Sequence, residues 1–147
     1  MTNFIISNRE WHRKHIKEIS EKTGSEIIYI DSKECLTLET LRKYQPKYVF
    51  FPHWSYMIPT EIYENYECVI FHMTDLPFGR GGSPLQNLIS RGIYQTKISA
   101  LRCVCSLDSG DIYMKRDLSL YGSAEEIYIR AAEITKNMII EIIQEEP

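Results

Sequence analysis

The stretch that decides the fold runs from Lys47 to His72. It opens on Lys47-Tyr48-Val49-Phe50-Phe51-Pro52-His53-Trp54, passes through Pro59 and the segment Thr60 to Glu64, and closes on Glu67-Cys68-Val69-Ile70-Phe71-His72. Both ends are short apolar runs rich in aromatic and β-branched residues. Such runs suit strands buried on both faces. The middle opens with a proline, which is tolerated in the first turn of a helix. The stretch therefore reads strand–helix–strand, the unit that brings two parallel strands side by side.

The same alternation extends outward. Phe4-Ile5-Ile6-Ser7 reads as a first strand. Asn8 is a candidate N-cap for a helix from Arg9 to about Lys22, with Trp11, His12, His15, Ile16 and Ile19 at helical spacing and Gly24 as its C-cap. The two helix histidines are expected to be solvated or partly buried. Glu26 to Ile30 is a strand, and Leu36 to Lys43 a short helix stopped by Pro46. Ser83 and Pro84 open a helix to about Arg91, and Lys97 to Leu107 is a long strand with Leu101, Cys103, Cys105 and Leu107 on one face. After the turn Asp108-Ser109-Gly110, Ile112 to Leu120 is extended again. Ser123 and Glu126 form a capping-box pattern for the last helix, whose stripe Ile127, Ala131, Ile134, Met138 and Ile142 should pack on a sheet. The expectation is an α/β, Rossmann-like, mostly parallel sheet flanked by helices, in a single domain spanning residues 1–147.

Composition narrows the classes. The chain has 147 residues, 44% hydrophobic and 25% charged, ordinary values for a globular domain. Its formal net charge of −3 argues against a general nucleic-acid binder. No window approaches the ~20 apolar residues of a membrane span. The N-terminus lacks the basic and apolar regions of a signal peptide, so a cytoplasmic location is expected. There the four cysteines, Cys35, Cys68, Cys103 and Cys105, would be reduced thiols. They lack the second turn-borne pair of a zinc site, so they read as buried small hydrophobes, with no metal. The tail Ile139-Ile140-Glu141-Ile142-Ile143 holds more isoleucine than one face uses. Ile139, Ile140 or Ile143 either covers a partner subunit in a homo-oligomer or wraps the sheet edge.

In parallel α/β sheets, ligands bind outside the carboxyl ends of the strands. His72 stands at such an end, before a turn-rich loop, where it can move a proton or simply bond a loop carbonyl. Asp108 can orient an imidazole or cap its own turn, and Asp111 competes with it. Gly79-Arg80-Gly81-Gly82 matches neither a dinucleotide fingerprint nor a phosphate loop. Arg80 meets an anion or is solvated. Trp54 and Tyr56, beside His53, suit a flat heterocycle or sugar, or pack against the following helix.

Read in order, His72-Met73-Thr74-Asp75-Leu76-Pro77-Phe78-Gly79-Arg80-Gly81-Gly82-Ser83-Pro84 resembles the signature of the folate-dependent formyltransferases. His72, Thr74, Leu76, Pro77, Arg80, Gly81 and Pro84 fall in place without a gap. Leu107-Asp108-Ser109-Gly110-Asp111-Ile112 is similar to the family's Asp-x-Gly segment. The resemblance covers about residues 47–143, and the chain is shortened relative to the family's catalytic domain. It implies a Rossmann-like fold and transfer of a formyl group from N10-formyltetrahydrofolate to a small-molecule amine. His72 would carry the proton and Asp108 would hold it. Thr74, Leu76, Pro77, Arg80, Gly81 and Leu107 would line the folate pocket, and Trp54 and Tyr56 the acceptor site.

One departure bears on catalysis. Two residues before its histidine the family has an asparagine, and here that position is Ile70. Losing one oxyanion donor typically costs ~10²–10³ in rate. His53, ending the adjacent strand, is the candidate replacement, with Thr74 and loop amides as others. The compact, non-basic chain points away from a tRNA acceptor and toward a nucleotide-linked amino sugar of surface-carbohydrate synthesis. The alternative is a non-catalytic binding module or assembly partner on the same fold. A lesser third reading is hydrolysis of the formyl group.

Overall fold

The computed structural model describes residues 1–74, 76, 92, 94–106 and 108–147. Among them, six strands form one sheet: β1 (Thr2–Ser7), β2 (Glu26–Ile30), β3 (Tyr48–His53), β4 (Glu67–His72), β5 (Gln95–Arg102) and β6 (Ile112–Ser119). The order is β2-β1-β3-β4-β5-β6. The first four strands are mutually parallel, as the crossover reading requires. β5 runs antiparallel to β4, and β6 antiparallel to β5. The sheet is thus mixed, and with three of its five strand pairs parallel it is mostly parallel, as expected. The short connection between β5 and β6 dictates their antiparallel pairing, because parallel neighbours need a long crossover.

Among the described residues, five helices flank the strands: α1 (Glu10–Arg13), α2 (Ile16–Thr23), α3 (Leu38–Tyr44), α4 (Thr60–Tyr63) and α5 (Ala124–Glu145). The single helix expected from Arg9 to Lys22 is two, divided at Lys14 and His15. Asn8 does not cap it: Arg9 holds the N-cap position without a side-chain bond, while Asn8 Nδ2 donates to Ser55 Oγ at 2.8 Å. Gly24 ends α2 as expected, at φ +71 with its N–H on the Ser20 carbonyl. The helix expected from Leu36 starts later. Lys33–Cys35 forms a 3-10 turn, and Thr37 caps α3 by accepting the Thr40 N–H at 3.2 Å. β5 ends at Arg102, short of Leu107, as the chain enters the turn to β6.

Alternation along the strands sorts two cores. On one face Ile5, Tyr48, Phe50, Val69, Ile98 and Leu118 pack beneath α2 and α5. On the other, Phe4, Ile6, Val49, Phe51 and Cys68 pack with Leu36, Leu41 and Ile62 from around α3 and α4. Both halves of the α5 capping box form: Ser123 Oγ accepts from Glu126 N–H and Glu126 Oε1 from Ser123 N–H. Ile139, Ile140 and Ile143 are all buried in the chain's own core. Of the two readings of the isoleucine tail, wrapping the sheet is therefore the one the fold adopts, and these residues are not held out for a homo-oligomer. Each such buried isoleucine contributes roughly 1.5–3 kcal/mol. Among the described residues, no helix is long and apolar enough to cross a membrane.

Candidate active site at the seam of the sheet

β1, β3 and β4 end on Ser7, His53 and His72, which places three polar residues along one carboxyl edge. β4 is also the seam where parallel pairing gives way to antiparallel. His72 lies on the same side of β4 as Ile70, two residues earlier. Its Nδ1 lies 3.5 Å from Asp108 Oδ2, and the two side chains are only 8% and 9% exposed. A carboxylate so placed limits the ring's orientation. Asp111, the competing carboxylate, is exposed, and its carbonyl accepts the Arg102 N–H at 2.8 Å.

The turn that presents Asp108 is tightly determined. Asp108 adopts φ +50, a left-handed conformation that aspartate tolerates better than most residues. Ser109 Oγ donates to the Ser106 carbonyl at 3.0 Å. At Gly110 a Cβ would stand 1.8 Å from the Arg102 carbonyl oxygen, so only glycine lets the turn lie against β5.

The structure gathers His53 into a second group. Arg9 Nε donates to His53 Nε2 at 3.3 Å, the Asn8 N–H donates to the His53 carbonyl at 3.1 Å, and the Tyr128 ring meets the imidazole edge-on. Burial, and then the Arg9 charge, hold His53 below its ordinary pKa. The ring is neutral near pH 7, and with Nε2 accepting, its proton belongs on Nδ1. Trp11 stacks on Tyr128 at 5.0 Å, so α1 and α5 bracket this end of β3.

Trp54 is half-buried and packs on Phe51 and Tyr56, not on the ring of any residue of the following helix. Tyr56 is exposed, with Lys33 Nζ 5.0 Å from its ring centre. Thr74 is fully buried, and its hydroxyl has no hydrogen-bond partner among the described residues. Leu76 is buried. Pro77, Arg80, Gly81, Leu107 and the helix expected after Pro84 lie outside the described residues.

Several expectations are corrected. His12 and His15 are buried, because the break between α1 and α2 turns both under α5. Burial, then His53 and His15, push His12 down to about 3. Only Cys68 is a buried cysteine. Cys103 is half-buried, and Cys35 and Cys105 are exposed, the last because β5 stops before it. Burial and the Asp108 charge raise the Cys103 thiol to about 11, so it is not a poised thiolate.

Sequence reading missed Arg9, Tyr128, Ser99 and Lys115. Their partners lie far away along the chain. The one local signal was a serine set inside the apolar run Ile98-Ser99-Ala100-Leu101, which needs a partner when buried.

A Rossmann-like α/β domain with a buried histidine–aspartate pair at the carboxyl edge is the class that fold and site define. No family model matches the chain. A methionyl-tRNA formyltransferase of Rickettsia massiliae is 33% identical over 94 residues, 61% of this chain and 31% of that protein. The solved methionyl-tRNA formyltransferase from Clostridium thermocellum is 49% identical with a TM-score of 0.95, over 100% of this chain and 66% of that one. The formyltransferase PseJ from Anoxybacillus kamchatkensis, solved with a UDP-linked formamido sugar and tetrahydrofolate, shares the fold at a TM-score of 0.75. It is 16% identical, over 97% of this chain and 74% of that one. The chain belongs to the folate-dependent formyltransferase family. It spans about a third of the length of the curated relatives it matches.

Proposed function

We propose that the chain transfers a formyl group from N10-formyltetrahydrofolate to an amine. The observation that carries this reading is the buried His72–Asp108 pair at the carboxyl edge of β4, within a chain of this family. An amine attacks only when uncharged, so a base must take its proton. His72 would take it and return a proton to the leaving nitrogen, while Asp108 holds the ring and offsets its charge.

The bound folate would supply an activated formyl carbon. Thr74, whose buried hydroxyl has no hydrogen-bond partner among the described residues, fits a polar contact to it, and Leu76 fits an apolar one. Pro77, Arg80, Gly81 and Leu107 complete the proposed lining on the strength of the motif. His53 is proposed as the donor that Ile70 lacks, through its Nδ1–H. Its engagement with Arg9 and Tyr128 also fits a role in holding the acceptor side.

For the acceptor we propose an amino sugar, bound near the exposed Tyr56 ring with Lys33 above it and Trp54 beside it. The relatives named for methionyl-tRNA favour a second reading, a charged tRNA. The test is release of tetrahydrofolate, followed by absorbance, with nucleotide-linked amino sugars, simple amines and methionyl-tRNA in parallel. Turnover with a sugar and not with tRNA supports the first reading, and the reverse supports the second. Folate binding without turnover on any amine would support the non-catalytic alternative that Ile70 suggests, and slow loss of formyl to water the hydrolytic one.

A further inference from the structure

We propose that Ser99 and Lys115 are positioning residues for His72, acting through the backbone that follows it. The inference rests on the reading of His72 as the proton-transfer group. The strand register sets His72 opposite Ser99, and Ser99 opposite Lys115. Directly opposed residues on antiparallel strands share a face, so these three side chains form one row across β4, β5 and β6.

Two carbonyls that follow His72 are held from that row: Ser99 Oγ donates to that of Thr74 at 2.7 Å and Lys115 Nζ to that of Leu76 at 2.8 Å. From the other face of β5, Thr96 Oγ1 donates to the Met73 carbonyl at 3.3 Å. Side chains from two strands thus fix an irregular backbone. Ser99 is fully buried, so its bond lies in a low-dielectric setting, where an unmade bond is expensive. A serine in an apolar strand interior is otherwise a poor choice, and this bond is what makes it serve.

The arrangement also ties the two partners of the site to one support. Asp108 is presented by the turn between β5 and β6, and the segment after His72 is held by side chains of those same strands. Displacing the segment moves the imidazole relative to the carboxylate. A misplacement of about 1 Å can cost ~10²-fold in rate.

Lys115→Met keeps the apolar stem and removes the donor, and Ser99→Ala removes the hydroxyl. Both should lower kcat for formyl transfer roughly 10- to 100-fold, leave the acceptor KM unchanged, and shift the pH–rate profile. Lys115→Arg should recover much of kcat, and Asp117→Asn, an exposed change on the same strand, should match wild type. Circular dichroism and melting identify a variant that fails to fold; should Ser99→Ala do so, the half-buried Lys115 carries the test. Wild-type kcat and pH profile in folded Lys115→Met and Ser99→Ala would overturn the proposal. If the wild type transfers no formyl group to any acceptor, the function reading fails by itself. NMR then tests the brace directly: Ser99→Ala should move the His72 imidazole resonances and speed exchange of the Leu76 amide, and no change in either would overturn it.

Discussion

The parallel side of the sheet, β2-β1-β3-β4, and its antiparallel side, β5-β6, are built on different principles. On the parallel side, Phe4, Ile6, Val49 and Phe51 face one core, and Ile5, Tyr48, Phe50 and Val69 face the other. Polar groups gather at the strand ends, apart from the fully buried Asn3, which donates to Ser25 Oγ and accepts the Tyr48 N–H. On the antiparallel side, a buried serine and a half-buried lysine sit within the strands, and a strained turn presents a buried carboxylate. His72 lies where the two meet. The parallel side fixes where the imidazole stands, and the antiparallel side presents the carboxylate beside it.

Breaking the antiparallel contribution should give the largest effect. Asp108→Asn keeps a residue that tolerates φ +50 and removes the charge beside His72. Formyl transfer should fall about 10²-fold or more in kcat, with the fold intact by circular dichroism.

A break on the parallel side should read out as acid sensitivity. Burial lowers His12 from its ordinary 6.5 to about 3, and His15 is lowered as well. The unfolded chain therefore binds protons that the folded chain refuses. Stability falls as pH drops from 6.5 toward 3. At pH 4.5 protonation of His12 in the unfolded chain alone costs about 2–3 kcal/mol of stability relative to neutral pH. Urea unfolding at both pH values should show that loss in wild type and a smaller one in His12→Gln.

Gly110→Ala tests the turn itself. The added Cβ cannot share space with the Arg102 carbonyl oxygen, so the turn must shift. Unfolding free energy should drop by about 1–3 kcal/mol, with transfer activity falling further than the loss of folded protein explains. The smallest effect is expected at Cys105, exposed beyond the end of β5. Cys105→Ser should change stability by less than about 0.5 kcal/mol.

The same contrast governs what could be read from the sequence. Tyr48-Val49-Phe50-Phe51 and Cys68-Val69-Ile70-Phe71 announce buried parallel strands, and the Ser123–Glu126 pair announces the start of α5, because these signals are local. His72 and Asp108 were legible through the motif they sit in. The row His72–Ser99–Lys115 was not, since it exists only once the register of β4, β5 and β6 is fixed, and the bonds Ser99 and Lys115 make to the carbonyls after His72 span 25 and 39 residues of chain. Arg9 was hidden for the same reason, its bond to His53 spanning 44 residues. The break between α1 and α2 escaped periodicity because His12 and His15 carry polar names yet occupy core positions.

The most direct measurement of the central claim compares wild type with His72→Asn in the release of tetrahydrofolate from N10-formyltetrahydrofolate with the best amine acceptor. A folded His72→Asn protein that still binds folate but loses at least ~10²-fold in kcat is the expected result. A folded variant turning over at the wild-type rate would contradict the assignment of proton transfer to His72 and, with it, the account of the seam.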